Sequence, residues 1–118
     1  MLFRSNLATN KMLRVRLIKY RALQLFVEMS KVSSNARRDM QDFQRVAALG
    51  IRNLAGSFDL RALAGKMGAL EAVVKMLRSK DLDVARFAAK AASELSLHEE
   101  NGRKMVLAGA LKIGRAHV

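Results

Sequence analysis

The 118-residue chain is predicted to be all-α, and three features of its sequence support that class. Proline is absent, and the composition is dominated by Ala, Leu, Lys, Arg and Met, whose side chains lose little freedom in a helix. Apolar residues recur at helical spacing, as at Leu70, Val73, Val74 and Leu77. A pattern also repeats after 41 positions, which is typical of stacked helical units.

The repeat is clearest where Gly68-Ala69-Leu70 recurs as Gly109-Ala110-Leu111. The same displacement relates five further pairs of identical residues: Asp42 and Asp83, Arg45 and Arg86, Ala47 and Ala88, Ala48 and Ala89, and Leu54 and Leu95. Because all of these pairs share one register, they predict two copies of one unit.

Each unit is predicted to hold a short helix, a glycine bend, a medium helix, a polar turn and a long helix. Glycine suits the bend at Gly109 because it adopts a positive φ readily. Asp81 is a suitable N-cap for a long helix over about 82–97. The residues expected to point inward from that helix are Val84, Phe87, Ala88, Ala91, Ala92 and Leu95.

An earlier copy follows looser spacing. Residues 23–29 parallel 70–76 at a displacement of 47, whereas a long helix over about 39–56 keeps the displacement of 41. The difference predicts about six extra residues in a loop around 33–38, where insertions are tolerated. Gly50, inside that long helix, is expected to permit close packing.

Residues 97–111, LHEENGRKMVLAGAL, resemble a known repeat junction. They are similar to the junction in armadillo scaffolds of the vacuole-inheritance type and in plant U-box armadillo proteins, including the Asn that opens the first helix. The resemblance covers about residues 20–112. It implies an armadillo-type α-solenoid, a right-handed superhelix of three-helix repeats. A HEAT-type array is the near competitor, but its two-helix units usually lack the short first helix.

The predicted organisation follows these repeats. Residues 1–20 form a basic leading segment, 21–56 a partial repeat, 57–97 a second repeat and 98–112 the start of the next.

The last six residues, 113–118, break the pattern and match a translation of the common sequencing-library adapter. They are expected to be foreign, so the chain is interpreted as a truncated fragment. Stacked repeats of this kind need about three units for stability. The fragment is therefore expected to be marginally stable and to self-associate through residues such as Leu107 and Leu111.

The net charge of +12 is spread through every segment without one dense run. Long-range attraction to phosphates leaves open a basic array that binds anionic membrane or RNA, although solvated outer faces explain the charge equally simply. Residues 1–27 hold six basic residues and no acid. That pattern fits a mitochondrial presequence, a membrane-surface segment or, as we favour, a leading helix packed through Leu13, Leu17 and Ile18.

No catalytic, metal or cofactor site is predicted, so an enzyme is not expected. The chain has no cysteine, which removes disulfides, thiolate chemistry and cysteine-based zinc sites. It also lacks a phosphate-binding glycine loop, a His-Glu-x-x-His pattern and a Ser-His-Asp order. His98 beside Glu99 and Glu100 is explained by a solvated helix start, where acids complement the helix dipole.

In armadillo arrays the long third helices line a concave groove, so the resemblance implies a stripe of groove residues on each. These residues are Arg45, Leu49, Asn53, Arg86, Lys90 and Glu94. Nuclear-import adaptors of the family have a groove Trp four positions before a groove Asn. Here Asn53 matches, but Leu49 stands in place of the Trp, which disfavours a nuclear-localisation-signal receptor.

Arg45, Arg86 and Lys90 would instead suit an acidic peptide; the alternative is that these positions are simply exposed and polar. The leading prediction is a protein-interaction scaffold in the cytoplasm or nucleus. A mitochondrial location applies if residues 1–27 are a presequence, and nucleic acid is a less favoured partner. No apolar run approaches the ~18 residues of a membrane-spanning helix.

Overall fold

The computed structural model describes residues 2–31 and 38–109, and within these ranges every secondary-structure element is an α-helix. The six helices are α1 (Leu2–Ser30), α2 (Arg38–Ala55), α3 (Phe58–Lys66), α4 (Ala69–Leu77), α5 (Leu82–Leu95) and α6 (Glu99–Leu107). The prediction of an all-α chain is confirmed. Most of the predicted loop insertion, together with Leu111 and the predicted foreign tail at 113–118, lies outside the described residues.

The ends of α3 and α6 follow the displacement of 41. Both ends of α6 lie 41 positions after the ends of α3. Gly68 and Gly109, which follow these two helices, have φ angles of 88° and 95°. A side chain in this left-handed region would cost about 1–2 kcal/mol, so glycine is the residue that allows each bend.

The start of α5 confirms the predicted cap. The side chain of Asp81 accepts hydrogen bonds from the backbone N–H groups of Asp83 and Val84, at 2.9 and 3.3 Å. These bonds satisfy donors that have no partner inside the helix. The helix then runs to Leu95, two residues short of the predicted end.

The core lies between the helices that pack most extensively: α2 against α5, α1 against α2, and α4 against α5. Of the residues predicted to point inward from α5, two are partly buried, Phe87 and Ala92. The others are fully buried: Val84, Ala88, Ala91 and Leu95. Gly50 confirms the expected close approach, because a Cβ there would lie 2.5 Å from ring atoms of Phe26.

The first half of α1 departs from the prediction. The C-terminal half is buried through Leu23, Val27 and Ser30. Leu13, Leu17 and Ile18 were expected to pack onward, but between 49% and 67% of their surfaces remain exposed. The buried positions of α1 all lie on one face near its C-terminal end, and within the described residues no helix covers the three exposed side chains.

Asn101 joins three helices at the second repeat junction. Only 1% of its surface is exposed, and its Nδ2 donates to the carbonyl oxygens of Arg61 at 2.7 Å and Leu95 at 3.1 Å. Gly65 faces this amide so closely that a Cβ there would overlap the Asn101 Oδ1. The amide thus connects α3, the end of α5 and α6.

We expect Asn101→Ala to lower the free energy of unfolding by about 1–3 kcal/mol, because two carbonyls lose their donor and one lies in a buried setting. Urea unfolding followed by circular dichroism measures this loss. Asn53→Ala is the matched control, since Asn53 is exposed and the change should cost less than about 0.5 kcal/mol. Equal losses in the two variants would contradict the structural role of Asn101.

Candidate functional site

The residues predicted to line a groove lie on α2 and α5, which pack side by side. Five of the six are exposed, and Glu94 is half-buried. We call this surface the α2–α5 face; its residues are Arg45, Leu49, Asn53, Arg86, Lys90 and Glu94.

The two helices run in the same direction. Arg45, in the first half of α2, contacts Asp81 at the start of α5. Arg52, near the end of α2, lies over the ring of Phe87 further along α5. These contacts join residues 36 and 35 positions apart, so the two stripes run alongside each other on neighbouring helices.

Arg45 connects the two helices. Its Nε donates to Asp81 Oδ2 at 2.7 Å, and its Nη1 donates to Asp42 Oδ1 at 3.2 Å. Asp81 therefore caps α5 and binds α2 with the same carboxylate. The sequence indicated the cap but not the ion pair, because the partners are 36 positions apart. The guanidinium of Arg45 is consequently engaged within the protein.

The ion pair also changes the acidity of both groups. Burial opposes ionisation of Asp81, but the hydrogen bond from Arg45 and the backbone donors of Val84 and Asp83 outweigh it, so the pKa of Asp81 is lowered. The hydrogen bond to Asp81 raises the pKa of Arg45. Both groups therefore stay charged at neutral pH.

Glu94 is likewise engaged within the protein. Its Oε2 accepts from Arg61 Nη2 at 3.2 Å, and its Oε1 lies 3.3 Å from Lys90 Nζ. Arg61 also donates from Nε to the carbonyl of Ala55 at 3.0 Å, which ties α3 to the end of α2. Sequence reasoning missed Arg61, because nothing in the local pattern connects it with a carboxylate 33 positions away.

Arg86 and Lys90 are the cations of the α2–α5 face with the fewest polar contacts inside the protein. Arg86 is exposed and makes no hydrogen bond or ion pair with any residue in the described ranges. Lys90 pairs only with Glu94 there, at 3.3 Å, and its side chain remains 57% exposed. An incoming anion could approach both without breaking a bond between helices.

Apolar side chains lie among these charges. Val46 and Leu49 are exposed on α2. Phe87 holds the position equivalent to Val46 on α5, and the guanidinium carbon of Arg52 is 5.6 Å from its ring centroid. Val46 and Phe87 were absent from the predicted groove, although the repeat register would have placed them beside it. The face therefore offers apolar contacts as well as charge.

A recess separate from the α2–α5 face lies between the first half of α1 and the start of α3. We call it the α1–α3 cleft, and its volume is about 360 Å³. Arg16 and Asp59 approach each other here, with Nε and Oδ2 3.5 Å apart. The lining residues are Lys11, Met12, Val15, Arg16, Lys19, Ser57, Asp59 and Leu60.

The region around His98 holds no recognisable metal centre. His98 is the N-cap residue of α6, and Glu99 and Glu100 occupy the first turn. Its Nδ1 is buried and has no hydrogen-bond partner among the described residues. Among the described residues, no three His, Asp or Glu side chains are placed to hold a metal ion.

None of the helices in the described residues is long and apolar enough to cross a membrane.

Comparisons with protein-family models, with curated protein sequences and with solved structures gave no match to the chain. The armadillo resemblance and the six groove residues therefore stay predictions.

We expect Asp81→Asn to lower the free energy of unfolding at neutral pH, because the Arg45 ion pair is lost while Asn still caps α5. Asp81→Ala should cost a further ~0.5–2 kcal/mol through loss of the cap. Because the pKa of Asp81 is lowered from 3.8 by folding, the advantage of the wild type over Asp81→Asn is present above pH 3.8. It should disappear as the pH falls through the lowered pKa.

Urea unfolding at a series of pH values measures both effects. Asp83→Asn removes a neighbouring carboxylate that makes no ion pair across helices among the described residues, so it should cost less. An advantage of the wild type over Asp81→Asn that persists unchanged in acid would contradict the role assigned to the ion pair.

Proposed function

We propose that the chain is a protein-interaction scaffold of armadillo type and that it binds an extended partner segment along the α2–α5 face. The observation that supports this proposal most directly is the side-by-side packing of α2 and α5, two long helices related by the displacement of 41. The exposed stripes of the two helices then lie side by side, which offers repeated contacts to the side chains of an extended peptide.

The repeat arrangement has further support in the matching ends of α3 and α6 and in the two left-handed glycines. A unit built in this way buries its apolar face against the next copy of itself. On this proposal the scaffold acts by binding and without catalysis, in the cytoplasm or nucleus.

The charges of the face favour an acidic partner with apolar side chains. Arg86 and Lys90 can bind the carboxylates of a partner, whereas Arg45 and Glu94 mainly hold helices together. Val46 and Leu49 offer apolar surface that gives a peptide affinity beyond long-range attraction. In an extended peptide successive side chains point to opposite sides, so acidic and apolar residues in alternation would place carboxylates along one side and apolar groups along the other.

The probe is a fluorescein-labelled peptide in which Glu and Leu alternate, and its binding is measured by fluorescence anisotropy. The double variant Arg86→Glu with Lys90→Glu should weaken binding by about tenfold or more, because each charge-assisted contact becomes repulsive. Lys66→Glu with Lys75→Glu is the matched control, since it makes the same charge change on exposed positions of α3 and α4. Equal weakening in the two double variants would refute a specific face.

A second candidate function is binding to an anionic membrane surface through the first half of α1. Met12, Leu13, Leu17 and Ile18 are exposed there, and no acid precedes Glu28. Basic residues are attracted to anionic lipid, and exposed apolar side chains can enter the interface. The exposed apolar side chains favour a membrane over RNA, because RNA has no apolar interior in which they could be buried.

Cosedimentation with vesicles tests this candidate. We expect the chain to bind phosphatidylserine-containing vesicles at low salt and to be released as salt rises, because the attraction is screened. Leu17→Gln with Ile18→Gln should reduce vesicle binding severalfold, whereas Arg86→Glu with Lys90→Glu should reduce it less. Equal binding to neutral phosphatidylcholine vesicles would remove the electrostatic basis of the candidate.

A further inference from the structure

We propose that Asn101 is a site of spontaneous covalent modification and that the docking of α6 controls it. In the reaction the side-chain amide of Asn101 is lost as ammonia, with Gly102 as the attacking residue and water as the co-reactant. The amide is protected while α6 lies on α3, and it reacts when α6 detaches. The inference rests on the junction of α3, α5 and α6 and is independent of the proposed partner.

The sequence supplies the reactive pair. Asn101 is the only asparagine of the chain that is followed by glycine, whereas Asn53, for example, is followed by Leu54. An asparagine side chain is attacked by the backbone nitrogen of the next residue, and a side chain on that residue hinders the attack. Glycine has no side chain and gives the backbone its widest freedom, so Asn101 is the most reactive asparagine of an unfolded chain.

The reaction balances with water as its only added reagent. The Gly102 nitrogen attacks Cγ of Asn101, so an N–Cγ bond forms and the Cγ–Nδ2 bond breaks. The proton of the Gly102 nitrogen leaves with Nδ2 as ammonia, and a cyclic imide remains. Water then opens the imide at either of its carbonyls, which leaves an aspartate or an isoaspartate at position 101.

The folded junction holds both reacting groups. Nδ2 of Asn101 donates to the carbonyl oxygens of Arg61 and Leu95, at 2.7 and 3.1 Å, so both N–H bonds of the amide are engaged. The Gly102 nitrogen donates to the carbonyl of His98 at 3.1 Å within α6. Closing the imide ring requires Asn101 to leave the helical backbone conformation. The reaction therefore needs α6 to open first.

Few buried side chains hold α6 in place. Of its nine residues, Asn101 and Met105 are buried. Val106 and Leu107 near its end are 52% and 87% exposed, and no described helix lies beyond them. Segments with few buried apolar contacts open at a lower free energy than the whole domain unfolds. We therefore expect α6 to detach while the packing of α2 against α5 is retained.

The product cannot rebuild the junction. A carboxylate at position 101 donates no hydrogen bond at neutral pH, so it would face the two carbonyls that the amide now satisfies. Burying that charge without a partner is unfavourable. The ammonium of Lys104 reaches the Gly65 carbonyl nearby, but it already contacts Glu100. Isoaspartate would also lengthen the backbone inside α6. The modification would thus make detachment of α6 permanent.

Mass spectrometry of the full chain tests the reaction. After incubation, trypsin releases Asn101 in the peptide AASELSLHEENGR (91–103), where it is the sole asparagine. In urea that unfolds the chain, Asn101 should convert about tenfold or more faster than Asn53, because glycine does not hinder the attack. In the native chain its conversion should be about tenfold or more slower than in urea. Isoaspartyl methyltransferase should label part of the product.

Gly102→Ala is the matched control, because it keeps the amide and hinders the attack. Gly102 does not have a positive φ, and a Cβ there would lie 3.4 Å from the carbonyl oxygen of Ser96, so alanine fits. Alanine also favours a helix over glycine, so the variant should fold. It should convert about tenfold or more slowly than the wild type in urea. Equal rates in the two unfolded chains, or no conversion of the unfolded wild type, would overturn the assigned reaction.

The dependence of the native rate on urea separates opening of α6 from unfolding of the whole chain. A local opening exposes little surface, so below the unfolding transition the rate should rise only weakly with urea. Control by α6 would be overturned by a rate that rises as steeply as the equilibrium for global unfolding. A native rate equal to the unfolded rate, or a native chain that never converts, would also overturn it.

Hydrogen-exchange mass spectrometry of Asn101→Asp tests the consequence. We expect the amides of α6 to exchange about tenfold or more faster than in the wild type, while those of α2 and α5 change less. Asn53→Asp adds the same charge at an exposed position and should leave α6 protected. Equal protection of α6 in Asn101→Asp and in the wild type would overturn the conclusion that the modification keeps α6 detached.

Discussion

Packing of α2 against α5 is the contact on which the other features of this chain depend. Each helix has one buried face, and neither α2 nor α5 could cover that face alone. Alanines at the buried positions, such as Ala48 and Ala88, allow a close approach. The Arg45–Asp81 ion pair then sets where along their lengths the two helices meet. The exposed stripes become neighbours as a consequence of how the opposite faces are buried.

The same contact changes the meaning of the charged residues. In the sequence Arg45, Arg86, Lys90 and Glu94 look like four independent charges, but two of them, Arg45 and Glu94, hold helices together. Arg45 bridges helices, and Glu94 holds Arg61, which in turn binds the carbonyl of Ala55. Partly buried ion pairs of this kind set the relative position of helices more than they attract ligands. On the proposed function, recognition would depend on the remaining cations and on the apolar residues between them.

Local patterns were sufficient for much of the fold. The apolar spacing of α5, the cap at Asp81 and the glycine bends follow from backbone and side-chain properties that act within a few residues, and the structure agrees with them. The first half of α1 was misjudged, because apolar residues at Leu13, Leu17 and Ile18 indicate a helix but not what covers it. Asn101 resembled the Asn of a repeat junction, but its burial and its two carbonyl partners depend on helices far apart in sequence.

The sequence by itself determined the helical class and the register of 41, because periodicity and turn chemistry are local. Only the tertiary structure decided which charges are already paired, that Val46 is exposed whereas Phe87 packs under Arg52, and that a cleft opens between α1 and α3. Those features depend on distances between helices, and such distances follow from how all the side chains pack together rather than from any one segment.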